Sequence, residues 1–249
     1  MSDLKSILSN FNSIALNEMD NVKLMSRVDT KFAFKFENIF HLLKKMEPFY
    51  KVLDINGNNI QDYRSLYFDT EDRKFYVDHH NRRVNRNKVR FREYVSSNLT
   101  FLEIKLKNNK KKTIKKRIKV KSINLKLTKK QIEFIQKITG KAITLNAKQW
   151  INFSRITFVH KKLKERLTMD INLSYNDSKN KGDLKHIVIA EIKQERMSRS
   201  SDFMRIAKQM HLLPFRISKY CITTLMLDPS VKRNRFKEKE LFINKLKVA

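Results

Sequence analysis

The sequence predicts an α+β protein: a closed eight-stranded antiparallel β-barrel with a charged lumen, flanked by helices. Eight segments, 27–34, 63–69, 88–94, 100–107, 113–120, 151–159, 166–174 and 187–193, alternate apolar and polar residues with the period of half-buried strands. Cations dominate their polar faces, and amphipathic helical stretches recur along the chain. Apolar faces turned outward beneath helices, with polar faces inward, describe a small barrel. No Ser/Gly/Pro linker or internal repeat divides the chain. Residues 1–249 read as one domain, with a core at about 22–227 and a peripheral helix at 230–249.

The opening stretch places Leu4, Ile7, Leu8, Phe11, Ile14 and Ala15 at helical spacing, and residues 37–46 repeat the pattern with Ile39, Leu42, Leu43 and Met46. In the strand at 88–94, Lys88, Arg90, Arg92 and Tyr94 share one face, opposite Val89, Phe91 and Glu93. The next strand sets Phe101, Glu103, Lys105 and Lys107 against Leu102, Ile104 and Leu106. Its neighbour sets Thr113, Lys115, Arg117 and Lys119 against Ile114, Ile118 and Val120. Thr128 is the expected N-cap of a helix over 128–138, with Ile132, Ile135 and Ile138 inward. Arg166, Thr168, Asp170 and Asn172 then oppose Leu167, Met169, Ile171 and Leu173, and Glu191 and Lys193 oppose Val188, Ala190 and Ile192. Ser200 or Ser201 caps a helix over 202–212 with Phe203, Ile206, Ala207 and Met210 inward. The tail from Ser230 is a peripheral or frayed helix.

Composition narrows the function. Lys and Arg number 55 against 25 Asp and Glu, a net charge of +30 that excludes an ordinary neutral enzyme surface and calls for a polyanionic partner. Apolar residues make up 41% of the chain, too many for a disordered basic tail. With three Gly and three Pro, and neither G-x-G-x-x-G nor G-x-x-x-x-G-K-[ST], Gly-rich phosphate loops are excluded. The single Cys221 makes neither an internal disulfide nor a cysteine-cluster zinc site. No signal-peptide core or run of ~18 apolar residues is present, so the expectation is a soluble cytoplasmic protein with no membrane segment.

A solvated face is the bland meaning of any one alternating strand. Cation following cation on neighbouring strands is harder to explain that way, because like charges side by side repel. The expected lining is Lys31, Arg90, Arg92, Lys105, Lys115, Arg117, Arg155, Arg166 and Lys193, with Glu103, Glu191 and Asp170 as the few carboxylates. Guanidinium groups hold phosphates bidentately and ammonium groups act as mobile point charges, so a lined tunnel suits a linear phosphate chain. Carboxylates repel phosphate, and their natural role there is to hold a hard divalent cation.

These segments resemble the VTC-domain polyphosphate polymerases of the triphosphate tunnel metalloenzyme superfamily. The resemblance rests on S-R-V-D-T-K-F-A-F from Ser26, Y-F-D-T from Tyr67, K-V-R-F-R-E-Y from Lys88, F-L-E-I-K-L-K from Phe101 and T-I-K-K-R-I from Thr113. It continues with F-S-R-I-T-F from Phe153, R-L-T-M-D-I-N-L from Arg166, A-E-I-K from Ala190 and S-K-Y-C from Ser218. It implies a tunnel that binds ATP and inorganic polyphosphate with Mn²⁺ or Mg²⁺ and moves the terminal phosphate of ATP onto the polymer. Carried over by motif, the phosphate-binding residues are Lys31, Arg90, Arg92, Lys105, Lys115, Arg155, Arg166 and Lys219, with Arg117 matching the motif. Glu191 is the metal-holding carboxylate, and Glu103 orients Lys105 or assists with metal. The implied catalytic set is Arg90, Arg92, Lys105, Arg155 and Glu191, with Lys193 on the same face. Neither an SPX regulatory domain nor membrane helices accompany these motifs. A tunnel open at both ends would let product thread away.

Two competitors remain. A tripolyphosphatase or nucleoside triphosphatase of the same superfamily characteristically carries E-x-E-x-K near its start, which is missing here; E-I-K occurs instead at Glu103 and Glu191. A non-enzymatic polyanion binder needs only the net charge, but no helix-turn-helix, RRM or zinc signature supports specific nucleic-acid binding. His79 and His80 read as a loop or helix end, His160, His186 and His211 lack ligand spacing, and Trp150 and most Phe residues read as core. Asp29 and Asp69 read as partners of interior arginines, and residues 107–112 as a charged hairpin turn at the tunnel mouth.

Overall fold

A computed structural model describes residues 2–22, 27–110 and 113–248; Ser26, Lys111, Lys112 and Ala249 lie outside the described residues. In chain order the elements are α1 (Ser2–Leu8), β1 (Ser13–Ala15), β2 (Val28–Lys35), α2 (Asn38–Met46), β3 (Tyr50–Asp54), β4 (Ile60–Asp69), α3 (Lys74–His80), β5 (Arg86–Tyr94) and β6 (Leu99–Lys107). They continue with β7 (Thr113–Val120), α4 (Lys129–Thr139), β8 (Asn146–His160), β9 (Glu165–Asn176), β10 (Lys181–Leu184), β11 (Ile187–Gln194), α5 (Asp202–Gln209), α6 (Lys219–Leu227) and α7 (Lys237–Val248).

All eight expected strands form, and they are the main path of one antiparallel sheet in the order β2-β11-β9-β8-β4-β5-β6-β7. Among the described residues no backbone ladder joins β2 to β7, so the expected closed barrel is an open hydrogen-bonded path. The outer edge of β2 is already taken: Phe32 bridges Pro214, and the Phe215 N–H donates to the Lys31 carbonyl at 2.6 Å. The path still curls: Ser218 and Lys219, adjacent in sequence, bond Lys88 on β5 and Asp170 on β9, although β8 and β4 lie between those strands along the path.

The apolar faces are covered as the periodicity requires. Leu4 and Leu8 of α1, Leu42, Leu43 and Met46 of α2, and Phe203 and Ala207 of α5 pack on Phe32, Phe34, Leu167, Met169 and Ala190. Each fully buried Leu, Met or Phe among them contributes about 1.5–3 kcal/mol. Helix α4 covers β5 and β6 through Ile135, and Thr128 with Gln131 forms a capping box at its start. Ile132 is exposed, contrary to expectation, because Gln131 and Ile135 are the residues this helix buries. Ser201 stands at the N-cap of α5 without a side-chain cap bond.

Other differences are local. The opening helix stops at Leu8, and Ser13–Ala15 pairs in parallel with β3, a strand the periodicity did not single out; β10, α3 and α6 were also unforeseen. In β9, Asn172 adopts φ 52° where the register against β8 shifts. An extra residue in one strand switches the facing of those after it, and asparagine tolerates the left-handed region. Leu173 and Tyr175 therefore join Ile187, Ile189, Ile151 and Phe153 on the polar side of the sheet, where they pack on Ile217, Tyr220 and Leu225 from α6 and the segment before it. One end of the interior is thus apolar and covered by α6. The tail is docked through α7, with Ile243 buried and the Phe215 and Phe242 rings 4.2 Å apart.

Candidate active site

Three carboxylates organise the interior charge. On β6, Glu103 has no exposed side-chain surface; its Oε2 accepts from Arg90 Nε at 2.9 Å and Nη2 at 2.6 Å, and its Oε1 pairs with Lys115 on β7. On β9, Asp170 accepts two hydrogen bonds from Arg155, at 2.6 and 2.8 Å, and pairs with Lys219 at the start of α6. On β11, Glu191 lies between Lys31 and Lys193.

Burial alone would raise the pKa of each carboxyl, but the neighbouring cations outweigh it. Arg90, Arg92 and Lys115 hold Glu103 well below the usual carboxylate range, Arg155 and Lys219 do so for Asp170, and Lys193 and Lys31 for Glu191.

Cations outnumber these carboxylates. Lys88, Lys105 and Lys115 stand directly opposite one another across β5, β6 and β7, an arrangement that costs stability without an anion. Among the described residues Arg92 is hydrogen-bonded only to Ser65, at 3.3 Å; Lys105 has no hydrogen bond or ion pair; and the Arg166 Nε is buried without a partner. Lys105 is exposed to solvent although protein crowds around it, as a side chain lining a wet interior is. Desolvation, reinforced by like-charge neighbours, lowers Arg92 to about 10 and Lys105 well below the lysine range. Lys193 and Lys219 are lowered to about 8, mainly by desolvation, with Arg155 adding repulsion to both.

Ten cations (Lys31, Lys88, Arg90, Arg92, Lys105, Lys115, Arg155, Arg166, Lys193 and Lys219) therefore converge with three carboxylates on this face. Arg117 sits apart, exposed, with its guanidinium 4.4 Å over the Phe101 ring.

Helix α6 supplies what strand parity could not show. Ser218 caps it and accepts a hydrogen bond from Lys88 Nζ at 2.8 Å, while Lys219 reaches Asp170. Lys88 was legible by its parity with Arg90 and Arg92. Tyr67, which accepts from Arg90 at 2.7 Å and stacks on Tyr220, had no comparable signal.

Two expected partnerships differ. Asp69 binds no arginine; it accepts from the Phe75 and Tyr76 N–H groups of α3 and from the Tyr220 hydroxyl, as a cap does. Glu103 orients Arg90 and Lys115, not Lys105, because the side chains beside it across the ladder come from Arg90 and Arg117 and the diagonal Lys115 reaches in.

No group of three or more His, Cys, Asp or Glu side chains among the described residues is placed to hold a metal. Mg²⁺-type sites commonly use one or two carboxylates completed by substrate phosphates and water. Both oxygens of Glu191 are paired with lysines, as are those of Glu103 with Arg90 and Lys115, but the Glu191 side chain keeps 18% exposure where Glu103 has none, so Glu191 is the one that fits such a cation jointly with bound phosphate.

The VTC domain model matches residues 26–227. No curated protein matches the sequence. Among solved structures, a candidate adenylate cyclase from Bacillus halodurans is similar with a TM-score of 0.50 and 11% identity, covering 80% of this chain and 96% of its own. A candidate adenylyl cyclase from Hippeastrum with a dominant triphosphatase activity gives 0.48 and 12%, covering 82% and 97%, and a Pyrococcus horikoshii protein gives 0.46 and 12%, covering 86% and 99%. At such identities the likeness concerns fold. The family match spans the whole eight-strand path and every interior charge described above, and the chain belongs to the VTC domain family.

Proposed function

We propose that the protein is a polyphosphate polymerase that transfers the γ-phosphoryl group of ATP to inorganic polyphosphate on the cationic face of the curled sheet. The excess of ten converging cations over three carboxylates, with Arg92, Lys105 and Arg166 lacking a carboxylate partner among the described residues, carries this reading.

In the reaction a terminal oxygen of polyphosphate attacks the γ-phosphorus in line. The new P–O bond forms as the bond to the β-phosphate oxygen breaks, and ADP leaves with that electron pair. No protein nucleophile is needed, so catalysis is positioning plus electrostatic stabilisation. Arg90, held by Glu103 and Tyr67, and Arg155, held by Asp170, are fixed donors for phosphate oxygens. Arg92, Lys105, Lys115, Arg166, Lys193 and Lys219 complete the phosphate cradle, with Lys31 and Arg117 toward its edges. Glu191 would hold the divalent cation together with substrate oxygens, and the cation supplies neutralisation of phosphate charge.

Incubation of purified protein with ATP and Mn²⁺ or Mg²⁺ tests this. Release of ADP with acid-insoluble polyphosphate is expected; ATP consumption yielding only free phosphate would replace transfer by hydrolysis. Hydrolysis is the second reading, favoured by the apolar packing of α6 over one end of the interior, which leaves less room for a long chain. Glu191→Gln separates both from passive binding. An enzyme loses turnover, whereas a passive binder keeps or gains polyanion affinity.

A further inference from the structure

We propose that Tyr94 and Phe101, at the mouth formed by the β5–β6 hairpin, are a stacking platform for the base of a nucleoside triphosphate whose phosphates lie on the cationic interior. This rests on the triphosphate reading of that interior. Tyr94 shares its face with Arg90 and Arg92, and Phe101 shares its face with Glu103 and Lys105; Tyr94 adjoins the hairpin turn Val95–Ser97, and Phe101 stands opposite Arg92, two pairs further in. Four residues of strand separate Arg90 from Tyr94, about 13 Å at the usual rise. That is the order of distance between the terminal phosphates of a nucleotide and its base.

The rings are unlike the other aromatic residues of the interior. Tyr67 and Phe153 belong to the core beneath α6. Tyr94 and Phe101 are half-buried and belong to none of the hydrophobic clusters. They are backed by a fixed stack: Tyr63 lies 5.1 Å from Phe153 at an interplanar angle of 3°, Tyr94 lies 5.0 Å from Tyr63, and Phe101 lies 5.9 Å from Tyr94. The Arg117 guanidinium lies 4.4 Å over the Phe101 ring, and its exposed side chain can swing aside or cover the far face of a stacked base. The three interior carboxylates are held by cations and are not offered to a base edge. Stacking of this kind tolerates any base, so ATP and GTP are expected to bind alike.

Calorimetric titration of the full chain with ATP, GTP and inorganic tripolyphosphate tests the platform. Relative to the unaltered protein, Phe101→Leu and Tyr94→Leu should lower the ratio of ATP affinity to tripolyphosphate affinity about tenfold, and Tyr94→Phe should preserve it. Retained tripolyphosphate binding shows that each variant is folded. A ratio unchanged in both leucine variants overturns the platform while leaving the triphosphate reading intact. If neither ATP nor tripolyphosphate binds the unaltered protein, the triphosphate reading and the platform fall together.

Discussion

Replacing Glu103 with Gln removes the one carboxylate held between Arg90 and Lys115. Breaking a buried ion pair costs about 3–5 kcal/mol because the surviving charge is left without a partner. Arg90 is only 10% exposed and bears that penalty, whereas Lys115 is 38% exposed and screened by water, so its share is small. Glutamine also keeps one acceptor, which places the loss near 2–3 kcal/mol, or a fall in Tm of about 5–10 °C for a chain of this size. A bound polyanion reverses the situation, since phosphate gives Arg90 and Lys115 new partners and the variant has one fewer repelling carboxylate. Thermal melts of both proteins over a tripolyphosphate titration should show the Tm gap narrowing as ligand rises. An unchanged Tm without ligand, or a gap that widens with ligand, would refute the view that Glu103 substitutes for phosphate as the partner of Arg90 and Lys115.

Lys219→Met should weaken tripolyphosphate binding tenfold or more, the worth of a charge-assisted hydrogen bond. Its Tm should stay nearly constant, because Arg155 still neutralises Asp170; calorimetry and melting check the two halves. Asp69→Asn should lower Tm by about 5–9 °C, from about 2–3 kcal/mol of lost capping and Tyr220 bonding, with ligand affinity maintained below the melt. The pH dependence has two limbs. Glu103, Asp170 and Glu191 have depressed pKa values, so the stability they confer is present above their unfolded range near pH 4 and lost as pH falls below it. Lys193 and Lys219, lowered to about 8, bind fewer protons folded than unfolded, so stability should rise from about pH 8 towards the unfolded lysine range while tripolyphosphate affinity falls; melts and titrations across that range measure both.

The division between what was legible and what was not follows the range of the interactions. Side-chain alternation along a strand is a local property, so the eight strands, the common parity of Arg90 and Arg92 or of Glu103 and Lys105, and the cationic character of the polar face could be read from the sequence. So could Thr128 as a cap, because the capping box involves only the four residues from Thr128 to Gln131. Pairing between charges could not be read. Lys31 meets Glu191 and Lys219 meets Asp170 across long stretches of chain, and these meetings depend on register, on the facing switch at Asn172 and on the entry of α6 from the polar side. The edge of β2, filled by Pro214 and Phe215, is likewise a tertiary decision. The amino-acid order alone determined that this protein presents an ordered row of cations. Tertiary structure decided which of them are spent on Glu103, Asp170 and Glu191 and which remain for a ligand, because electrostatic pairing depends on distances that only the folded chain sets.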